Sequence, residues 1–219
     1  AASQSADLMQ WQDSAGTTLA SIAPSLNTTD RMTLMVSGSI VSNPLDADRI
    51  GVVSIGSGSV AKNTNSIAIG ANAEAYRTDG VGSIAIGAHA RANYNGSMAV
   101  GYGATAISEG GVSFGGHAGG DWSTALGNAA YANGYRSVSI GYGANDNSNG
   151  YAVCLGWVSK SNGTASVALG GNCEAAAHAI AIGYQANAPT SGLIIGSRTN
   201  NHILSGQFND TFDAVNGHL

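Results

Sequence analysis

The chain has 219 residues, 43% of them hydrophobic and only 10% charged, with 8 Lys and Arg against 13 Asp and Glu and a formal net charge of -5. That balance leaves no basic footprint for nucleic acid or an anionic bilayer. No apolar run approaches the ~20 residues that a membrane-spanning helix needs, and the 32 glycines come with little helical periodicity.

Residues 1–50 are expected to be an N-terminal connecting or capping segment. Leu8-Met9-Gln10-Trp11-Gln12, the turn Asp13-Ser14-Ala15-Gly16 and residues 17–22 read as a β-hairpin, followed by a strand at Met32–Val36.

From Val53 to Gly196 a short phrase recurs: large apolar, small, large apolar, glycine, as in Ile67-Ala68-Ile69-Gly70 and Ile84-Ala85-Ile86-Gly87. It occurs eleven times, closing on Gly56, Gly70, Gly87, Gly101, Gly115, Gly127, Gly141, Gly156, Gly170, Gly183 and Gly196, with steps of 14, 17, 14, 14, 12, 14, 15, 14, 13 and 13 residues. A repeat that short is one coil of a stack and not a domain. The slot before the glycine holds Ile55, Ile69, Ile86, Val100, Phe114, Leu126, Ile140, Leu155, Leu169, Ile182 and Ile195, and the first apolar slot is almost as uniformly large, as at Ile67 and Ile84. Side chains alternate across a strand, so the large pair shares one face and the Ala, Ser or Cys between them looks the other way. Three and five residues past the glycine come pairs such as Ala73 and Ala75, Ala90 and Ala92, Ala186 and Ala188. Period two again marks a strand, this one with a narrow inward face. Two strands and two turns in each step make a flattened coil.

Alternation does not say which face is inside. With the small residues inside, the large ones form a long outer stripe. Each such side chain is worth ~1.5–3 kcal/mol when buried, so a single soluble chain cannot leave eleven pairs in water and other chains must cover them. The reverse assignment, large inside and Ala outside, stays open at this point.

The phrases NSIAIG at 65–70, GSIAIG at 82–87, NGSMAVG at 95–101 and TASVALG at 164–170 resemble the head repeats of trimeric autotransporter adhesins, the YadA-like head family. The resemblance covers about residues 50–200 and implies an all-β fold: a left-handed parallel β-roll of about eleven coils, intertwined or side by side in a homotrimer around a threefold axis. It also implies adhesion to a host or environmental surface. The stripe running from Ile67 and Ile69 to Ile195 then becomes the trimer interface and core. The phrase at 10–22 is similar to segments of bacteriophage tail-fibre proteins, as is the style of Ile203-Leu204-Ser205-Gly206 and Asp213-Ala214-Val215-Asn216-Gly217. Residues 51–196 are read as the head and 197–219 as a C-terminal connecting segment that continues in the native protein.

Other chemistries are weak. Cys154 occupies the small middle slot of its repeat and Cys173 the slot of Ala73 and Ala90, so both read as Ala-sized interior residues, with a bridge between coils as the alternative. His89 and His117 both stand two residues past a closing glycine, two coils apart, roughly 10 Å at ~4.7–4.9 Å per strand, too far to share one zinc. His178, His202 and His218 have no suitable partner in sequence. Gly119-Gly120-Asp121 occurs once, without the tandem continuation that a calcium-binding β-roll needs. Asp13, Asp46, Asp48, Asp79, Asp146, Asp210 and Asp213 read as scattered over turns and flanks, and the serines as turn residues, not nucleophiles. No metal, cofactor or catalytic residue is assigned.

Aromatic residues offer more. Tyr102, Tyr142, Trp157 and Tyr184 each follow a closing glycine and share one outward slot, with Tyr76 and Trp122 on other turns. They are the candidate ligand contacts, a ladder for sugar faces or a protein receptor; the alternative is packing against the adjoining subunit. The 17-residue step reads as a surface loop from Tyr76 to Gly80, and the 12-residue step as a shortening around His117 and Trp122. The function expected is non-enzymatic attachment by a trimeric fibre head, on a bacterial surface or a phage tail. A spacer rod with its binding tip elsewhere is the alternative, and a polysaccharide-degrading tail spike is disfavoured because no groove of acidic residues is visible.

Overall fold

The computed structural model describes residues 52–62, 64–76, 81–148 and 150–197 in full, Ser14, and the backbone of the strands Met9–Gln12, Thr18–Pro24, Met32–Val36 and Asn201–Gln207. Asp13, Asp46, Asp48, Asp210, Asp213 and His218 lie outside the described residues, as do the side chain of His202 and residues 77–80 of the longest step. The three N-terminal strands form an antiparallel sheet in chain order, Met9 opposite Ile22 and Ala20 opposite Val36, matching the hairpin and strand read from the sequence.

The repeats fold as a parallel β-roll. In each of ten coils a three-residue strand, from Val53–Ile55 to Ile180–Ile182, is followed by a two-residue strand, from Val60–Ala61 to Asn187–Ala188. The triplets stack in strict register, Met98 on Ile84 and Val100 on Ile86, and the doublets form a second parallel sheet, Thr105 on Arg91. Gly192–Ser197 adds an eleventh strand to the triplet sheet, and Asn201–Gln207 folds back antiparallel on it, so a hairpin ends the parallel stack.

A coil of ordinary length turns twice, and its two turns are alike, as the coil that begins with Ile84–Ile86 shows. Ala90 N donates to Gly87 O at 3.2 Å and Ser97 N to Tyr94 O at 3.1 Å, with φ +59° at His89 and +62° at Gly96, the third residue of each turn. Those signs define type II turns. The turns also stack: His89 N donates to Ala71 O at 2.9 Å and Gly103 N to Ala88 O at 2.9 Å, so the ladder hardly breaks between sheets. The closing glycine has its own cause. At Gly87 φ is +126°, and a Cβ there would lie 2.5 Å from the carbonyl oxygen of Gly101 in the next coil. Neither the dihedral nor the space admits a side chain.

Inside, the roll holds four columns of small residues. The triplet centres Ala68, Ala85 and Ala99, the doublet ends Ala75, Ala92 and Ala106, and the corner residues Ala73, Ala90, Ser83 and Ser97 are all fully buried. The large residues point outward, which decides the orientation left open by alternation. They are half-buried by their neighbours above and below, while Ile55, Phe114 and Leu126 keep 43%, 41% and 42% of their surface. The doublet sheet differs sharply on its outer face, where Glu74, Arg91, Thr105, His117, Tyr131, Asn145, Lys160, Glu174 and Asn187 follow one another.

Three sequence expectations are corrected. His117 does not share the turn slot of His89. The 12-residue coil keeps only Gly115 and Gly116 between its strands, so His117 moves into the doublet strand, in register with Thr105 and Tyr131. The shortening therefore falls at that glycine pair, while Trp122 stands on a turn of ordinary length. Asp146 is not on a solvated turn either: it is fully buried at a doublet end in register with Ala132 and Ser161. Its carboxylate accepts from Gly134 N at 2.7 Å and Ser148 N at 2.8 Å, which compensates its burial and folds the extra residue of the 15-residue step into the corner.

Candidate functional site

Backbone hydrogen bonds pair the strands with one another, and the most exposed aromatic side chains among the described residues stand on the turns. Tyr102, Tyr142, Trp157 and Tyr184 stand at the second position of the first turn and are 81%, 60%, 56% and 58% exposed. They do share a column, as their spacing from the glycine predicts. The column is interrupted, however, by Asn128 and Gly171, so only Tyr142 and Trp157 occupy successive coils. Gly171 leaves room for the ring above it, since a Cβ there would lie 3.2 Å from Cδ2 of Tyr184. His89 meets Tyr102 edge to face, 5.9 Å between centroids.

Tyr76 and Trp122 lie on the opposite corner, several coils apart. Tyr76 is 40% exposed and carries the Nζ of Lys62 at 4.3 Å from its ring centroid. The six candidate residues thus form no single site.

A second, denser group was not singled out by sequence. Trp122, Arg136 and Tyr151 occupy the residue two before the triplet in three successive coils. Each backbone N donates to the coil below: Trp122 N to Glu109 O at 2.7 Å, Arg136 N to Asp121 O at 2.9 Å, Tyr151 N to Tyr135 O at 2.8 Å. All three have positive φ, +60°, +53° and +59°. Tyr135 joins them, its ring 5.6 Å from that of Tyr151 in a T-shaped contact and 4.9 Å below the guanidinium carbon of Arg136. Trp122 lies against Gly110 of the preceding coil, where a Cβ would come 2.5 Å from its Cε3. Trp122 and Tyr151 remain 56% and 55% exposed. Counting back from each following strand, not forward from each glycine, reveals this column in the sequence.

Burial acts on two thiols and one imidazole of the roll. Burial pushes the Cys154 thiol up and the Cys173 thiol to about 11, and both cysteines are free, Cys154 Sγ donating to Asn145 O at 3.2 Å. Burial holds His117 below its ordinary value, its ring 5.8 Å from that of Tyr131. Among the described residues no group of three or more His, Cys, Asp or Glu is placed to hold a metal ion.

Comparison with known families agrees with this architecture. A family model described as YadA head domain repeat (2 copies) matches residues 53–73, 79–104, 95–118 and 118–144. The first match stands apart, the other three run on from 79 to 144, and none reaches the last coils of the roll or the flanks likened to phage fibres. No curated protein matches the chain.

Proposed function

We propose, proceeding from the YadA head domain repeats that this chain carries, that the roll is the adhesive head of a homotrimeric extracellular fibre. Two further copies cover the outer face of the triplet sheet, and the turns meet a glycan or protein receptor on the opposing surface. The observation that carries the trimer is the contrast between the two outer faces: one sheet presents Ile, Val, Leu, Met and Phe in two columns interrupted at Thr124, the other a mainly polar series that includes Glu, Arg, Thr, Lys and Asn. Burying the exposed part of some twenty such side chains, in most of them about a third or less, is worth on the order of 10 kcal/mol per chain before the entropy of association. Weak single contacts then gain strength because three copies bind together.

The family match favours a bacterial surface adhesin as the carrier, with a virion tail fibre as the alternative. The role is non-enzymatic: the rings project outward, while Ser54, Ser113, Ser139 and the two cysteines face the closed interior. Tyr102, Tyr142, Trp157, Tyr184, Tyr76 and Trp122 are proposed as receptor contacts. The full chain coated on a surface is expected to retain cells, and its variant with all six rings replaced by Ala is expected to lose them while keeping its oligomeric mass. Undiminished retention by that variant would identify a spacer rod instead.

A further inference from the structure

Strain is the first clue. The third residue of a type II turn is the place of Gly or Asn, because an L side chain at positive φ costs ~1–2 kcal/mol. Elsewhere in this column stand Asn65, Gly82, Gly96, Gly110, Ala165, His178 and Ser191, mostly small residues, whereas three successive coils place the bulky Trp122, Arg136 and Tyr151 there. Nothing inside the roll needs them, since their side chains stand on the outside. Strained bulky residues held together at a surface point to a task at that surface.

We propose that Trp122, Tyr135, Arg136 and Tyr151, with Asp121, form a subsite for a neutral pyranose chain. The inference rests on the attachment reading and gives its receptor a chemical class. Trp122 lies against the Gly110 turn of the preceding coil, so its open surface faces outward as a platform for the apolar face of a sugar ring. Tyr151 offers a second ring two coils on, about 10 Å away at ~4.7–4.9 Å per coil, close to the length of a disaccharide. The guanidinium of Arg136 lies between them as donor, steadied over Tyr135. Asp121 supplies an acceptor one coil below; its Oδ1 already accepts from Glu109 N at 3.0 Å, which fixes the carboxylate. Charge decides between neutral and acidic sugars. Arg136 has two exposed carboxylates, Asp121 and Glu109, on the coils beneath it, so the subsite offers an anion one attraction against two repulsions. Hydroxyls use both donor and acceptor.

The test titrates the full chain by calorimetry with maltohexaose, cellohexaose and mannohexaose as neutral probes and a hyaluronan hexasaccharide as the acidic one. Cell retention is measured in parallel. Binding of a neutral probe is expected, weakened about tenfold or more by Trp122→Ala or Tyr151→Ala, less by Trp122→Phe, and unchanged by Tyr131→Ala on the outer face of the doublet sheet, with all variants holding their oligomeric mass and melting profile. Weakening by Tyr142→Ala without effect of Trp122→Ala overturns the location, and binding of the acidic probe alone overturns the sugar class. Cell retention with no oligosaccharide bound overturns the subsite and leaves the attachment reading standing. Sugar binding without cell retention supports the subsite and removes the attachment reading.

Discussion

Replacing Gly87 by Ala, set beside Gly96→Ala in the same coil, isolates what the stacking of coils demands. At Gly87 the new Cβ would meet the Gly101 carbonyl oxygen at 2.5 Å and its carbon at 2.6 Å, and φ is +126°. The collision is with backbone that is itself fixed in the ladder, since Gly101 N donates to Ile86 O at 2.8 Å. Overpacking at ~1–3 kcal/mol and a dihedral cost of ~1–3 kcal/mol together make about 4 kcal/mol. For a chain of this size that lowers the melting temperature by roughly 10 °C, at ~2–4 °C per kcal/mol. At Gly96 φ is +62° and nothing lies within 4 Å of the Cβ position. There the left-handed cost is partly offset by the reduced entropy of the unfolded chain, leaving about 1 kcal/mol or less. Circular-dichroism melts of the two variants against the parent decide the matter. Equal shifts, or a larger one for Gly96→Ala, would refute the claim that close coil stacking fixes the closing glycine.

Val158 is a β-branched residue at φ +53°, in the column where Asn72 and Asn172 stand at +52° and +51°. Val158→Asn is therefore expected to raise stability by about 1 kcal/mol, read as a higher melting temperature. Asp146→Ala leaves the amides of Gly134 and Ser148 without their carboxylate acceptor, and should cost ~1–3 kcal/mol in denaturant unfolding. Cys173 titrates at about 11 when folded against 9.0 ordinarily. Folded chain then keeps its proton where unfolded chain loses it, so this stabilisation is complete below pH 9 and fades as pH rises towards 11. Cys173→Ala should flatten that alkaline decline in melting temperature, and iodoacetamide should modify the parent's thiols slowly until denaturant is added.

The triplet strands were legible because two large residues flanking a small one before glycine repeat eleven times. Their orientation was not, since alternation is symmetric; the four buried columns of Ala and Ser settle it. Counting forward from the glycine cannot place His117, because it assumes a turn of constant length and the 12-residue coil deletes that turn. Residue type alone suggests a solvated turn for Asp146, whereas its register, five residues past Gly141, matches that of Ala132. The same forward count found Tyr102, Tyr142, Trp157 and Tyr184, yet dispersed Trp122, Tyr135, Arg136 and Tyr151. Those residues meet only when the turns are aligned on the strand that follows, since the inserted and deleted residues fall before it.

The account turns on the uncovered apolar face of the triplet sheet, and sedimentation equilibrium of the full chain at micromolar concentration tests it most directly. The expected result is a single species of three times the 21.8 kDa chain mass, reduced to unfolded or aggregated chain by Leu155→Lys or Leu169→Lys. A stable, folded monomer with those columns open to water would contradict it.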